Sequence, residues 1–158
     1  MSQKELSPAP TEQAADKTAV DALVASAQQA LAEFENLDQR TVDIIVETAA
    51  RKAREAHAVL AAEAVTETKR GNFEDKTVKN IFASEVIAQD LEGQKTVGVI
   101  SRDEFSGIVE VAEPVGVVAG LTPVTNPTST TIFKALICLK TRNPIIFAFH
   151  PFAQNCSA

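Results

Sequence analysis

After Glu113 the chain has no acidic residue. All 21 Asp and Glu lie at or before that position, and the last 45 residues carry only Lys134, Lys140 and Arg142. The first 113 residues therefore hold a net charge of −9 and the remainder +3. Two compatible readings follow: buried sheet and helix carry few charges, and a cationic region suits an anionic ligand. No apolar run approaches the ~18 residues of a membrane span. The opening MSQKELSPAPTEQAADK lacks the apolar core of a signal peptide, so a cytoplasmic protein is expected. Two cysteines, Cys138 and Cys156, make neither a disulfide framework nor a metal spacing, and no metal is expected in this segment. A net charge of −6 argues against nucleic acid or an anionic membrane surface as partner. Internal repeats, a G-x-G-x-x-G fingerprint and a P-loop are all absent.

What is there is concentrated in Glu113–Phe149, which reads as strand, Pro-punctuated loop, helix and strand. Val115–Leu121 and Ile145–Phe149 are apolar runs without alternation, suited to strands covered on both faces of a parallel sheet. Pro127 suits the first turn of a helix, with Asn126 before it as N-cap. The helix over 127–142 presents Ile132, Phe133, Leu136, Ile137 and Leu139 on a wide apolar face. Lys140 and Arg142 fall in its last turn, and Pro144 ends it.

Upstream, residues 1–17 read as a flexible tail and residues 18–95 as helical. Val20, Leu23, Val24, Ala27, Leu31 and Phe34 recur at helical spacing. After Asp38, an expected N-cap, Val42, Ile45, Val46, Ala49 and Ala53 do the same. A third stretch covers Val59–Lys69 with Gly71 as C-cap, and His57 falls in solvent between stretches. A helix over Glu74–Leu91 places Val78, Ile81, Phe82, Glu85 and Val86 on one side, and Gly93 stops it. Between residues 96 and 112 the pattern turns β, predicting a hairpin around Ser101–Gly107. The fold class is α/β: N-terminal helices, a hairpin arm and one βαβ unit from residue 113 to 158.

Thr122-Pro123-Val124-Thr125-Asn126-Pro127-Thr128-Ser129-Thr130, Phe133-Lys134, Leu139–Asn143 and Phe147–Pro151 together resemble the CoA-acylating aldehyde dehydrogenases. The resemblance is to the aldehyde dehydrogenase half of bifunctional aldehyde–alcohol dehydrogenases. Glu74–Lys76, Lys79–Glu85 and Ala112–Gly116 extend it, so that it runs from about Phe34 onward. It implies that the βαβ unit opens an incomplete, truncated NAD-binding domain and that the hairpin is an oligomerisation arm of a homo-oligomer. It also implies NAD as cofactor, coenzyme A as co-substrate, and interconversion of acetyl-CoA and acetaldehyde.

Such chemistry needs a thiolate nucleophile, donors for the developing oxyanion, a hydride acceptor and CoA. Asn126 matches the family's oxyanion donor, whereas its position before Pro127 equally suits a helix cap or Asx turn. Leu121, Thr122, Pro123, Val124 and Thr125 form the loop after the first strand, where the resemblance places the dinucleotide. His150 follows the second strand, in Ala148-Phe149-His150-Pro151 where the family has small-Pro-His-Pro. Cys138 lies within the apolar helix and reads as a core residue. Cys156 lies outside the family's nucleophile motif, so the catalytic cysteine is expected elsewhere and the 158 residues alone are expected to be inactive. The alternatives are a truncated non-catalytic remnant, or an oligomerisation or nucleotide-binding module. The isolated polypeptide is expected to be poorly soluble or partly molten, because Phe147 and Phe149 lack covering elements.

Overall fold

The computed structural model describes the chain from Pro10 to Ala158, with side-chain surroundings from residue 16. Of the tail expected over 1–17, residues 1–9 lie outside the described residues, and from Pro10 the chain is helical. The elements are α1 (Pro10–Phe34), α2 (Gln39–Thr68), α3 (Phe73–Ile81), a π-helical turn (Phe82–Val86), α4 (Ile87–Leu91), β1 (Gly98–Asp103), β2 (Ile108–Ala112), β3 (Val118–Leu121), α5 (Pro127–Lys140), β4 (Ile145–Ala148) and α6 (Gln154–Ser157).

The central element is α2. Asp38 caps it by accepting the Thr41 N–H at 2.8 Å, as expected. Its inward face carries Val42, Val46, Ala50, Ala61, Ala64 and Thr68, all buried. The two stretches expected on either side of His57 are one continuous helix. No breaker interrupts 53–59, and Arg51 and Glu55 pair along its surface. His57 is therefore half-buried inside a helix, not in a solvated connection, and its ring Nδ1 contacts the Arg54 carbonyl. The helix closes on Lys69 in the left-handed region (φ 55), whose N–H reaches Val65 O. Gly71 is thus not the C-cap but lies beyond it.

The inward face of α3 also differs from expectation. Lys76, Asn80, Ala83 and Ser84 are buried, while Val78, Phe82 and Val86 are exposed. Polar residues turn inward here because each has a partner. Asn80 donates to His57 O, Lys76 to Thr125 O, and Ser84 to Asn80 O. Arg54 takes the Ser84 carbonyl. Over Phe82–Val86 the ladder slips to i→i−5, the Ile87 N–H bonding Phe82 O. That slip is the π turn.

The main core joins Val42, Val46 and Ala50 of α2, Ala83 of the π turn, and Ile132 and Leu136 of α5. A smaller cluster of Ala64, Ala153 and Cys156, with Val124 against it, ties the loop after β3 to α6.

β1 and β2 form the expected antiparallel hairpin, Gly98 opposite Ala112 and Asp103 opposite Ile108, with an irregularity between Val99 and Ser101. β3 and β4 are parallel, Val118 beside Ile145 and Leu121 beside Ala148. β3 starts three residues later than the apolar run suggested. The Asn143 side chain accepts the N–H groups of Val115 and Gly116 and so removes both from any ladder. Gly120 is required by close approach: a Cβ there would lie 2.6 Å from Ile145 Cδ1.

Arg142 is not in the last turn of α5, which ends at Lys140. It sits at φ 58, buried, and its guanidinium donates to Glu35 O and to Ala112 O. Those two carbonyls, at the end of α1 and the end of β2, reward the left-handed backbone. No helix among the described residues is long and apolar enough to cross a membrane.

Candidate functional site

The parallel pairing of β3 with β4 brings two loops side by side at the strands' carboxyl ends. One is Thr122–Asn126 and the other Phe149–Ala153. Ligands of open α/β sheets sit at such ends. The Thr122 N–H bonds Ala148 O at 3.1 Å and joins the loop bases. Val124 packs on Ala153 and Cys156. Leu121 and Pro123 are exposed, and the Leu121 carbonyl accepts from Lys134. Thr122 is buried, and its hydroxyl has no partner. Thr125 is exposed, and its carbonyl accepts from Lys76. His150 Nδ1 accepts the Phe152 N–H at 3.1 Å, and its ring lies 5.5 Å from that of Phe152. The six residues predicted as a dinucleotide site therefore share one end of the sheet, although Leu121, expected in the loop, is the last residue of β3, paired with Ala148.

Asn126 starts α5, with Pro127 in the first turn and its carbonyl accepting from Thr130 N. Its side chain makes no capping bond, which corrects the expected side-chain N-cap. The amide oxygen is instead engaged from α3: Lys79 Nζ donates to Asn126 Oδ1 at 2.9 Å. Asn126 borders an open groove of about 490 Å³ between α3, the π turn and α5, shared with Val78, Phe82, Ser129 and Phe133. An amide donor at the rim of an apolar groove is the arrangement that acyl-transfer chemistry uses to hold a carbonyl oxygen.

Three residues of α3 fix this corner, and motif reading assigned them no role. Lys76, buried, donates to Thr125 O at 2.9 Å; Lys79 holds the Asn126 side chain; Asn80 accepts the Thr128 hydroxyl at 2.8 Å. Burial, followed by the neighbouring Lys79 charge, pulls the Lys76 ammonium below its ordinary value. The signal was present as polar residues at i, i+3 and i+4 on one helical face.

Neither thiol is poised for attack. Burial pushes Cys138 up. Burial first, then its contact with Glu67, pushes Cys156 up to about 11. Such thiols are not thiolates at neutral pH. Among the described residues no group of three or more His, Cys, Asp or Glu is placed to hold a metal ion.

Comparison with known proteins gives the same lineage at every level. The model of the aldehyde dehydrogenase family matches residues 5–156. Aldehyde-alcohol dehydrogenase 2 of Entamoeba histolytica is 56% identical over 140 residues, which is 87% of this chain and 16% of that protein. An acetylating aldehyde dehydrogenase from Geobacillus thermoglucosidasius superposes with a TM-score of 0.87 at 49% identity, over 89% of this chain and 31% of the other. Propionaldehyde dehydrogenase of Rhodopseudomonas palustris, solved with bound CoA and an acylated cysteine, gives 0.68 at 29% identity, over 87% and 31%. The chain thus spans about a sixth to a third of these proteins. With the family's model matching almost the whole chain, and relatives alike in sequence and in fold, the chain belongs to the aldehyde dehydrogenase family.

Proposed function

We propose that these residues form part of an NAD-dependent, CoA-acylating acetaldehyde dehydrogenase of the bifunctional aldehyde–alcohol type. The enzyme would interconvert acetyl-CoA and acetaldehyde in the cytoplasm as a homo-oligomer. The observation that carries the reading is Asn126, an amide without a side-chain cap at the rim of an apolar groove, beside the carboxyl ends of two parallel strands.

In this reading Asn126 Nδ2 donates to the carbonyl oxygen of the aldehyde as negative charge develops on it. Val78, Phe82 and Phe133 offer the acyl chain an apolar surface. Leu121, Thr122, Pro123, Val124, Thr125 and His150 face the dinucleotide. The unpartnered Thr122 hydroxyl and the absence of any acidic residue after Glu113 fit an anionic ligand there. Bound at that end of the sheet, the nicotinamide would supply the hydride acceptor. In this reading the attacking thiolate comes from a cysteine other than Cys138 and Cys156, because both are buried and burial pushes both thiols up. The hairpin, with Val99, Ile108, Val109 and Val111 exposed, offers the surface for association between subunits.

The test is an exchange. The matching segment of the Entamoeba histolytica relative is replaced by this chain, and NAD reduction dependent on both acetaldehyde and CoA is measured. Turnover within about tenfold of the parent is expected, together with a 10²–10³-fold lower kcat for Asn126→Ala, the effect of losing one oxyanion donor. A folded exchange protein without CoA-dependent turnover would refute the assignment.

A further inference from the structure

We infer that Lys79 is a positioning residue for Asn126, setting which end of its amide faces the reacting oxygen; the inference rests on the oxyanion role proposed above. An amide side chain rotates between two near-equivalent orientations, one presenting NH₂ and the other a carbonyl oxygen. Only the first assists an oxyanion, and the second repels it. The choice has to be made by a partner, and α5 makes none of it, since the Asn126 side chain forms no bond into its own helix.

Lys79 makes the choice by chemistry. An ammonium has donors and no acceptor, so the atom 2.9 Å from Lys79 Nζ is Oδ1. Among the described residues Nδ2 has no protein partner, and the residue that carries it borders the groove. The ammonium charge of Lys79 beside Oδ1 also polarises the amide and strengthens its N–H groups as donors. The neighbours on α3 do a different job. Lys76 holds the backbone carbonyl just before Asn126, and Asn80 holds the Thr128 hydroxyl just after it. They locate the residue, and among the described residues Lys79 alone reaches its side chain. Lys79 is itself exposed and takes no part in the core, so its replacement leaves packing intact.

The experiment is a double-mutant cycle in the exchange protein described above, with Lys79→Met, Lys79→Arg, Asn126→Ala and the double variant Lys79→Met/Asn126→Ala. Thermal midpoints show that each is folded, and Lys79→Gln substitutes for any Met variant that is not. Lys79→Met is expected to lower kcat about 10- to 100-fold, the size of one lost charge-assisted bond. KM for acetaldehyde should stay within about twofold, and Lys79→Arg should recover most of the loss. In the Asn126→Ala background Lys79→Met should cost nothing further, because the group it positions is gone. If the two losses multiply, or if Lys79→Met raises KM for acetaldehyde or CoA with kcat unchanged, Lys79 binds a ligand directly and positioning is overturned. If Asn126→Ala leaves kcat unchanged, the oxyanion assignment itself fails, whatever Lys79 does.

Discussion

Glu67 shows how much one half-buried carboxylate can organise. It accepts the backbone N–H groups of Asn155 and Cys156 at 3.0 and 2.7 Å and the Asn155 amide at 3.0 Å, and so holds the start of α6 against α2. The two backbone bonds, Asn155 first, hold its carboxyl below the ordinary 4.5. A carboxylate depressed in the folded state contributes stability in full above its unfolded value and loses it as pH falls through the folded one. The amide protons of Asn155 and Cys156 are therefore expected to be protected from exchange near neutrality and to lose protection in acid below the ordinary carboxylate range. Glu67→Gln should abolish that acid step. An acid step of unchanged size in the variant would show that another group controls α6. At this scale the sequence was least legible. Nothing in the spacing of Glu67 announces a partner 88 positions away. Arg142 looked like a dipole-compensating cation when it is a buried tether.

Between elements, Lys140 joins α5 to α2. Its side chain is only 2% exposed and donates to Asp43 Oδ1 at 2.6 Å, whereas Asp43 is 45% exposed. Removing one partner of a buried pair leaves the other charge stranded, at a cost of about 3–5 kcal/mol. The exposure of Asp43 reduces this to about 2 kcal/mol for Asp43→Ala. Lys140→Met keeps the apolar stem and strands only the half-solvated carboxylate, so a loss under about 1 kcal/mol is expected. Urea unfolding followed by helical circular dichroism orders the two, and an equal or reversed order would mean that the pair is not the tie between the helices. Elements were more legible than contacts. Pro127, the apolar runs of β3 and β4, the hairpin and the Asp38 cap all act through local chemistry, which a sequence displays. The misplaced start of β3 has a non-local cause: Asn143 withdraws two N–H groups from it. The outward turn of Val78 and Phe82 was hidden because amphipathicity alone does not say which face meets the core.

For the molecule as a whole, apolar surface decides behaviour. Val20, Leu23, Phe105, Val111, Leu121 and Phe152 are each more than half exposed. β3 and β4 form a two-stranded sheet whose outer edges carry no further strand among the described residues. Exposed edges and patches of this sort promote association. The 158-residue polypeptide alone is expected to bind a hydrophobic dye and to sediment as concentration-dependent assemblies. A dye-silent monomer at all concentrations would contradict this. The hairpin adds a mechanical point. Its strands pair with each other and have no comparable packing on any other element. It is fastened at its two roots, where Gln39 accepts the N–H groups of Thr96 and Val97 and Arg142 donates to the carbonyl of Ala112. Two fastenings at adjacent roots make a pivot, and the ladder between them makes a stiff blade. Force applied at its tip near Phe105 would reach the body as torque on Gln39 and Arg142, and these belong to α2 and the α5–β4 turn. Whatever grips the blade would thus pull on α2 and on the turn that follows α5, one of the helices lining the groove.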